Sequence, residues 1–372
     1  MKIAILSLNS YNILSDSNVS QHVGGAETQI VSVGEGLVRR GHEVSFICLD
    51  HGQPDGIEVS SGIRVFKSFA PESGLPGVRF VYPKITSTWS ALSRANPDVC
   101  IQAGADSWTG VAAAWCRKHK RRFVFVVMSD ADCDIKLPFL TTFRDRVLFR
   151  FGVKRAGGIV AQTDIQQEML SKNFGLTSSV IRPSARISVP EVSDKNKIKD
   201  NTKHILWIGR FSLEKRLEWL LDIAEACPEF TFHVVGGANS ETEYSKELSS
   251  RMENLPNVVG HGYISHDKMA PLYHSMGILL STSVCEGFPT IFIEAWSCGI
   301  PVISTIDPDG VIAKYGLGHT ADNKDGLIKS LKEIVNDKEK WLKISAVAKQ
   351  YYKTNHTQQA CVPKFEKMFV DV

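Results

Sequence analysis

The sequence predicts an α/β protein of two doubly wound domains facing across a cleft. Three observations carry that expectation. The chain has 372 residues, a length that favours two domains, each burying its own core. Short apolar runs alternate with longer helix-like segments from end to end, the signature of parallel sheets covered on both faces. One polar stretch near the middle, EVSDKNKIKDNTKH (Glu191 to His204), lacks apolar periodicity and reads as a linker.

The elements follow in order. KIAILSL, EVSFICL, DVCIQA, RFVFVVM and GGIVAQT read as buried strands of the first half. HILWIG, FTFHVVG, NVVGHG, MGILLST and PVIST read the same way in the second. Between them lie helical patterns at 26–40, 107–118, 164–173, 215–226 and 241–253. The boundaries are an N-terminal domain over 1–190, a linker over 191–203 and a second domain over 204–355. The opening MKIAILSLNS is apolar for too few residues to be a signal peptide and reads as the first strand. No run approaches the length of a membrane-spanning helix.

Composition is that of an ordinary soluble protein, 43% hydrophobic and 22% charged, with net charge +3. That excludes a bulk polyanion binder, and no nucleic-acid partner is expected. The charge is unevenly shared. Residues 1–190 hold 22 Lys and Arg against 16 Asp and Glu; the remainder holds 21 against 24. The basic excess includes RKHKRR (Arg117 to Arg122) and FRDRVLFRFGVKR (Phe143 to Arg155). These are solvated helix ends, or a basic face that meets anionic lipid or an anionic acceptor. Eight scattered cysteines with no C-x-x-C pair point to reduced thiols and a cytosolic protein.

In open parallel sheets, ligands bind beyond the carboxyl ends of the strands, so the chemistry is sought there. After the first strand, Gly24 and Gly25 precede a helix near Ala26. Such a turn presents free backbone N–H groups to an anion; the plain alternative is a flexible turn with Glu27 in the first helical turn. In LWIGRFSLEKRLEWLL the strand ends at Gly209, and a helix is expected from about Leu213 with Ser212 as N-cap. A capping box would then want Glu or Gln at 215. Lys215 and Arg216 stand there instead, and cations at a helix start oppose its dipole. A local rule broken at a strand's carboxyl end marks a site. Arg210 and Lys215 would grip a diphosphate, or form a solvated basic turn.

SVCEGFPTIFIEAWSCGIPVIST (Ser283 to Thr305) raises a sharper question, because it places Glu286 and Glu294 in an apolar neighbourhood. Pro289 suits the first turn of a helix over 289–298, Gly299 its end, and Pro301 follows. Thr290, Glu294 and Ser297 then share one face. Ile291, Ile293, Ala295 and Trp296 cover the packing side, with Phe292 unassigned. Glu286 lies in the preceding loop, so the two carboxylates are not a pair on one helical face. Residues Gly287 to Thr290 offer a second anion site at a helix start. A salt-bridged structural Glu and a surface Glu are the plain alternative.

These motifs together resemble glycosyltransferase family 4, retaining enzymes of GT-B fold with two Rossmann-like domains. CEGFPTIFIEAWSCGIPVIST resembles the family's E-x7-E region, with Glu286 and Glu294 as its two glutamates. WIGRFSLEKR resembles its diphosphate-gripping segment, and VGGAETQ its first glycine loop. The resemblance is close over about 204–305 and loose over the N-terminal half. It implies that Glu294 binds the ribose of a nucleotide diphosphosugar and Glu286 the donor sugar. Arg210 and Lys215 would hold the diphosphate, with backbone groups near Gly25, Gly209, Gly236, Gly287, Phe288, Pro289 and Thr290 assisting. The base would sit near Gly236, Tyr263 and Ile264. It also implies a C-terminal helix over 356–372 that packs back on the N-terminal domain, and neither metal nor other cofactor, since Arg and Lys serve in the metal's place.

One departure matters. Many family members carry a His near the donor sugar, after the fourth or fifth N-terminal strand. Here the corresponding run, RFVFVVMSDADCD, has Ser129, Asp130, Asp132 and Asp134 and no His. Asp130 takes that place, contacting a substrate hydroxyl, or the cluster acts as a base. A metal-binding run and a solvated acidic turn are the alternatives to that role, and no metal is expected. The leading expectation is a retaining hexosyltransferase of polysaccharide or cell-envelope glycan biosynthesis, cytoplasmic and peripheral at the inner face of the membrane. It would act on a glycan or lipid-linked acceptor. A non-catalytic nucleotide-sugar binder, a sugar-nucleotide epimerase or hydrolase, and a nicotinamide dehydrogenase remain as alternatives; the missing G-x-G-x-x-G after the first strand speaks against the last.

Overall fold

The structure is a computed structural model that describes residues 1–15, 24–185, 201–238 and 242–370. Two compact units emerge: Met1–Arg186 with Thr357–Val372, and Ile187–His356. The expected linker lies outside the described residues except for the turn Asn201–Lys203.

The first unit is an eight-stranded sheet. Its strands are β1 (Lys2–Leu6), β2 (Glu43–Cys48), β3 (Ile57–Glu58), β4 (Arg64–Lys67), β5 (Val99–Ala103), β6 (Arg122–Val126), β7 (Gly158–Ala161) and β8 (Ser179–Val180). Their order is β3-β4-β2-β1-β5-β6-β7-β8. Every pairing is parallel except β3 with β4. The apolar runs are continuous because both faces are covered. Along β1, Ile3 and Ile5 join one core and Ala4 and Leu6 the other, as the two-residue strand period requires. Val362, Phe365 and Phe369 of the helix Gln358–Val370 belong to the first of these cores, beside Val31 and Leu37. Gly36 makes room for that helix: a Cβ there would lie 2.4 Å from Val362 Cγ2. β3, β4 and β8 were not legible in the sequence, being two to four residues long with polar residues among the apolar ones.

The second unit is a six-stranded parallel sheet. It comprises β9 (His204–Ile208), β10 (Thr231–Val235), β11 (Val258–Gly262), β12 (Ile278–Ser281), β13 (Val302–Ser304) and β14 (Gly318–Thr320). The order is β11-β10-β9-β12-β13-β14. Two expectations need correction here. NVVGHG is a strand but not a buried one: as β11 it is the sheet's edge, and Val259 is exposed. The helix expected from 213 or 215 begins at Leu217, because Arg216 adopts a left-handed φ of 47° that α-helix cannot include. Residues 211–215 form turns instead, and Ser212 is not an N-cap.

Each sheet reverses its winding once. In the first, the chain leaves β1 toward β2 on one side and later fills β5 on the other. In the second the same happens at β9, between β10 and β12. A doubly wound sheet opens a crevice at such a point, beyond the carboxyl ends of the two strands.

Candidate functional site

In the second unit, the segments after β9 and β12 are sewn together at that crevice. Val284 N donates to Glu214 O at 2.8 Å. Thr282, fully buried, donates through Oγ1 to Lys215 O at 2.7 Å and accepts from Trp207 Nε1 at 3.0 Å. Arg216 turns back to donate to Thr282 O at 2.7 Å, its guanidinium stacked 3.9 Å over the Trp219 ring. The left-handed residue that ends the expected helix is thus the one that staples the two loops. The staple leaves Lys215 facing the other loop, and its ammonium is ion-paired with Glu286. Both side chains are about four-fifths buried, so each charge offsets the desolvation of the other. Arg210 is more exposed and rests 3.3 Å from Glu214. The sequence separated Glu286 from Lys215 by function; the fold makes them partners.

Glu294 lies on the helix Thr290–Cys298 and is buried. Pro289 is the N-cap and not the first helical residue, and Gly299 closes the other end with φ 75°. Helix phase needs one correction: Phe292 is fully buried and Ile291 only partly, so Phe292 belongs to the packing side. Each Glu294 oxygen has a partner. Tyr273 Oη donates to Oε2 at 2.6 Å, and His266 Nε2 lies 2.8 Å from Oε1. Burial, then the carboxylate beside it, raises the Tyr273 phenol well above its usual range and keeps it a donor. An ionised carboxylate has about four lone-pair sites, so two protein bonds leave acceptor capacity for ligand hydroxyls. Phe288 is 2% exposed and packs edge-on against Trp296. Its side chain is core, and any role at the site falls to its main chain. Thr290 is likewise buried, while Glu286 and Gly287 are partly exposed.

The segment after β11 completes this edge. Tyr263 is half-exposed and Ile264 partly buried, and His266, two residues on, is the residue that reaches Glu294. β11 and the helix Thr290–Cys298 are thereby joined across the ends of β10 and β9. Gly236, at the end of β10, has φ 123°, and a Cβ on it would stand 1.9 Å from Gly209 O. Only glycine fits both the conformation and the space.

In the first unit, Gly25 opens the helix Gly25–Arg39 with Gly24 as N-cap; residues 16–23 of that loop lie outside the described residues. The DADCD run is a short 3-10 turn, Asp130–Cys133, after β6. Its carboxylates serve separate purposes. Asp132 is buried and accepts from Met128 N and Ser129 N at 2.8 and 3.1 Å. Asp134 caps Lys136 N at 2.7 Å. Asp130 accepts from Gln166 Nε2 at 2.9 Å. Among the described residues no group of His, Cys, Asp and Glu could hold a metal ion.

A pocket of about 350 Å3 opens at the β1/β5 crevice of this unit, lined by Glu27, Phe69, Lys84, Gln102, Asp106 and Trp108 among others. Phe69 and Trp108 stack at 5.4 Å, and Lys84 Nζ sits 5.2 Å over the Phe69 ring. Asp106 caps the helix Ser107–His119, accepting from Trp108 N at 2.7 Å and Thr109 N at 3.1 Å. Burial pushes its carboxyl up to about 7. Sequence reasoning missed this site although ADSW follows a strand's carboxyl end directly. It also missed His266 and Tyr273, which lie 28 and 21 positions before Glu294 and carry no local signal of that contact.

Residues 23–184 match the family described as "Glycosyltransferase Family 4", and residues 202–337 match "Glycosyl transferases group 1". The chain belongs to this glycosyltransferase family. An uncharacterized glycosyltransferase of Methanocaldococcus jannaschii is 28% identical over 317 residues, 76% of each chain. Mannosylfructose-phosphate synthase of Agrobacterium fabrum is 26% identical over 191 residues, 44% of this chain and 41% of that one. Among solved structures, sucrose-phosphate synthase from Thermosynechococcus elongatus superposes with TM-score 0.78 at 17% identity, covering 99% of this chain and 98% of that one. HepE from Anabaena, in complex with UDP and glucose, does so with TM-score 0.77 at 18% identity over the whole of both. The glycosyltransferase therefore has the GT-B fold of two parallel-sheet domains with helices. Among its described residues no helix is long and apolar enough to cross a membrane.

Proposed function

We propose that the protein moves a hexose-type sugar from a nucleotide diphosphosugar to a glycan or lipid-linked acceptor, with retention at the anomeric carbon. The observation that carries this reading is the Lys215–Glu286 ion pair beside Arg210, at the crevice between β9 and β12. In the reaction the anomeric C–O bond to the diphosphate breaks, a bond to the acceptor oxygen forms, and the proton of the acceptor hydroxyl passes to the departing diphosphate. Negative charge grows on the departing diphosphate, and cations already fixed in place stabilise it as it develops. Lys215 is such a cation, and Arg210 adds a second from the more exposed side. Glu286 holds Lys215 in position and accepts from donor-sugar hydroxyls, and Glu294 accepts from the ribose. In the first unit, the pocket beside Asp106 takes the acceptor, and Asp130 accepts from a substrate hydroxyl. A related complex of HepE contains UDP-glucose, which supports a nucleotide sugar as donor. The reading needs no metal ion. Eight free cysteines support a cytoplasmic setting, with the acceptor reached at the inner membrane face.

The test is donor binding by calorimetry with UDP and GDP sugars. Glu294→Ala removes hydrogen bonds made by a charged group, each worth about 1.5–3 kcal/mol, so affinity for the donor that binds wild type falls roughly ten- to a hundredfold. Unchanged affinity would refute the ribose role. Product analysis separates transfer from hydrolysis or epimerisation: free sugar, or an epimer formed without acceptor, would replace this reading.

A further inference from the structure

Two segments of the first unit expose large apolar side chains that a water-facing surface does not need. In the first, Leu75 and Tyr82 are 74% and 71% exposed, with Val78 and Val81 between them. In the second, Phe139 and Phe143 are 70% and 82% exposed, followed by Val147 one turn along the helix Phe143–Val153. The segments meet: the Arg144 guanidinium lies 3.8 Å over the Phe80 ring. Single exposed apolar residues need no explanation, but a joined set marks an interaction surface. The charge along the two segments themselves is predominantly of one sign. Residues 75–85 and 135–150 hold six Lys and Arg and one acid, Asp145, and that acid is neutralised by Arg144 at 2.9 Å. Arg79, Lys136, Arg144 and Arg150 are exposed.

The same surface forms the rim of the pocket at the β1/β5 crevice. Phe80 lies 6.1 Å from Trp108, which lines the pocket, and Lys84 of the apolar segment lines it too. A patch with aromatic side chains, flanked by cations and opening onto a polar pocket, fits the boundary of an anionic bilayer. Apolar side chains enter the acyl boundary and basic ones stay with the headgroups.

We propose that this surface docks on a membrane carrying anionic lipid, so that the pocket receives the sugar end of an acceptor whose lipid end stays in the bilayer. The proposal rests on the glycosyl-transfer reading above and commits it to the lipid-linked form of acceptor. The two phenylalanines supply the apolar anchor. The basic residues supply attraction that weakens as salt is added.

The experiment is co-sedimentation of the full chain with vesicles of phosphatidylcholine, alone or mixed with phosphatidylglycerol. Wild type binds the mixed vesicles more tightly than the neutral ones, and added salt weakens the binding. The double variant Phe139→Ser/Phe143→Ser binds roughly a hundredfold more weakly, from the transfer of two aromatic side chains. Arg79→Glu/Lys136→Glu binds at least about twenty-five-fold more weakly, at roughly fivefold for each cation removed. All four side chains are exposed, so the melting temperature stays at the wild-type value. Absence of binding to mixed vesicles at low salt would overturn the proposal. So would equal binding by the double Phe variant, or a vesicle-free dimer that the same variant dissolves. Calorimetry with UDP and GDP sugars on the same preparations separates the two readings. Lost vesicle binding with donor binding kept overturns the docking surface alone. Vesicle binding with no donor binding overturns the transferase reading alone.

Discussion

The two crevices of this molecule are built on one plan and furnished in opposite ways. At the β9/β12 crevice nearly every charged group is tied down. Lys215 holds Glu286, Tyr273 and His266 hold Glu294, and Arg216 staples the loops beneath them. At the β1/β5 crevice the structure leaves a pocket of about 350 Å3 with one cation, Lys84, among its lining residues and aromatic walls. A site that stabilises developing charge gains from groups that need not reorganise. A site that admits a bulky and variable partner gains from room and from sequence-tolerant aromatic surface. On the proposed reading, the difference separates a half constrained by chemistry from a half constrained by the identity of its ligand.

The largest expected effect breaks the rigid side. Lys215→Ala removes a fixed charge from the proposed diphosphate site and leaves Glu286 buried without its partner. Turnover falls roughly 10²–10³-fold, the range seen when one preorganised donor is deleted, while vesicle binding by the first unit is unchanged. A normal turnover number in a steady-state assay would remove Lys215 from the chemistry. A smaller effect tests whether the glycine packing beside the site is as tight as the geometry says. Gly236→Ala forces a Cβ toward Gly209 O at a φ that alanine rarely adopts. It lowers stability by at least about 1–3 kcal/mol, read as the midpoint of chemical denaturation; an unchanged midpoint would show that the strand ends can part.

The smallest effects concern pH, and they have opposite signs in the two units. His204, His233 and His261 form a ladder across β9, β10 and β11, with successive ring nitrogens 2.9 Å apart. Burial, then the two flanking imidazoles, lowers the His233 ring from 6.5 to about 4. The unfolded chain therefore binds more protons between those values, and the second unit loses stability as pH falls from about 6.5 toward 4. Asp106 is raised from 3.8 to about 7, so the folded state binds more protons in that window. The first unit loses stability as pH rises through it. Both groups are partly exposed, and after solvent screening each effect is on the order of 1 kcal/mol, about 2–4 °C in Tm for units of this size. Calorimetric scans of His233→Asn and Asp106→Asn should each flatten one limb of the pH profile. A limb that persists in its variant belongs to another group.

The core strands and the main helices were legible because their signals are local. Continuous apolar runs fix β1, β2, β5, β6, β7, β9, β10 and β12, since a strand covered on both faces has no polar side to show. The conflict between Lys215 and a helix start disappears in the structure, because the helix begins later, at Leu217, and the reason is not local. The backbone turns left-handed at Arg216, and what holds it there is a carbonyl of Thr282, 66 residues on. The short strands β3, β4 and β8 escaped because so few residues carry too little pattern. β11 was misread as buried because edge position is a property of sheet order.

By itself, the sequence determined the alternation of strands and helices, the division into two sheets, the loops that carry Arg210 and Glu286, and the helix that carries Glu294. Those follow from periodicity, capping and turn chemistry acting over a few residues. Only the tertiary structure decided which charges meet. It joined Lys215 to Glu286 across 71 positions, brought His266 and Tyr273 to Glu294, and gathered two distant apolar segments around Phe80. The physical reason is that charge pairing and surface exposure depend on distance in space, which strand order sets and local pattern does not encode.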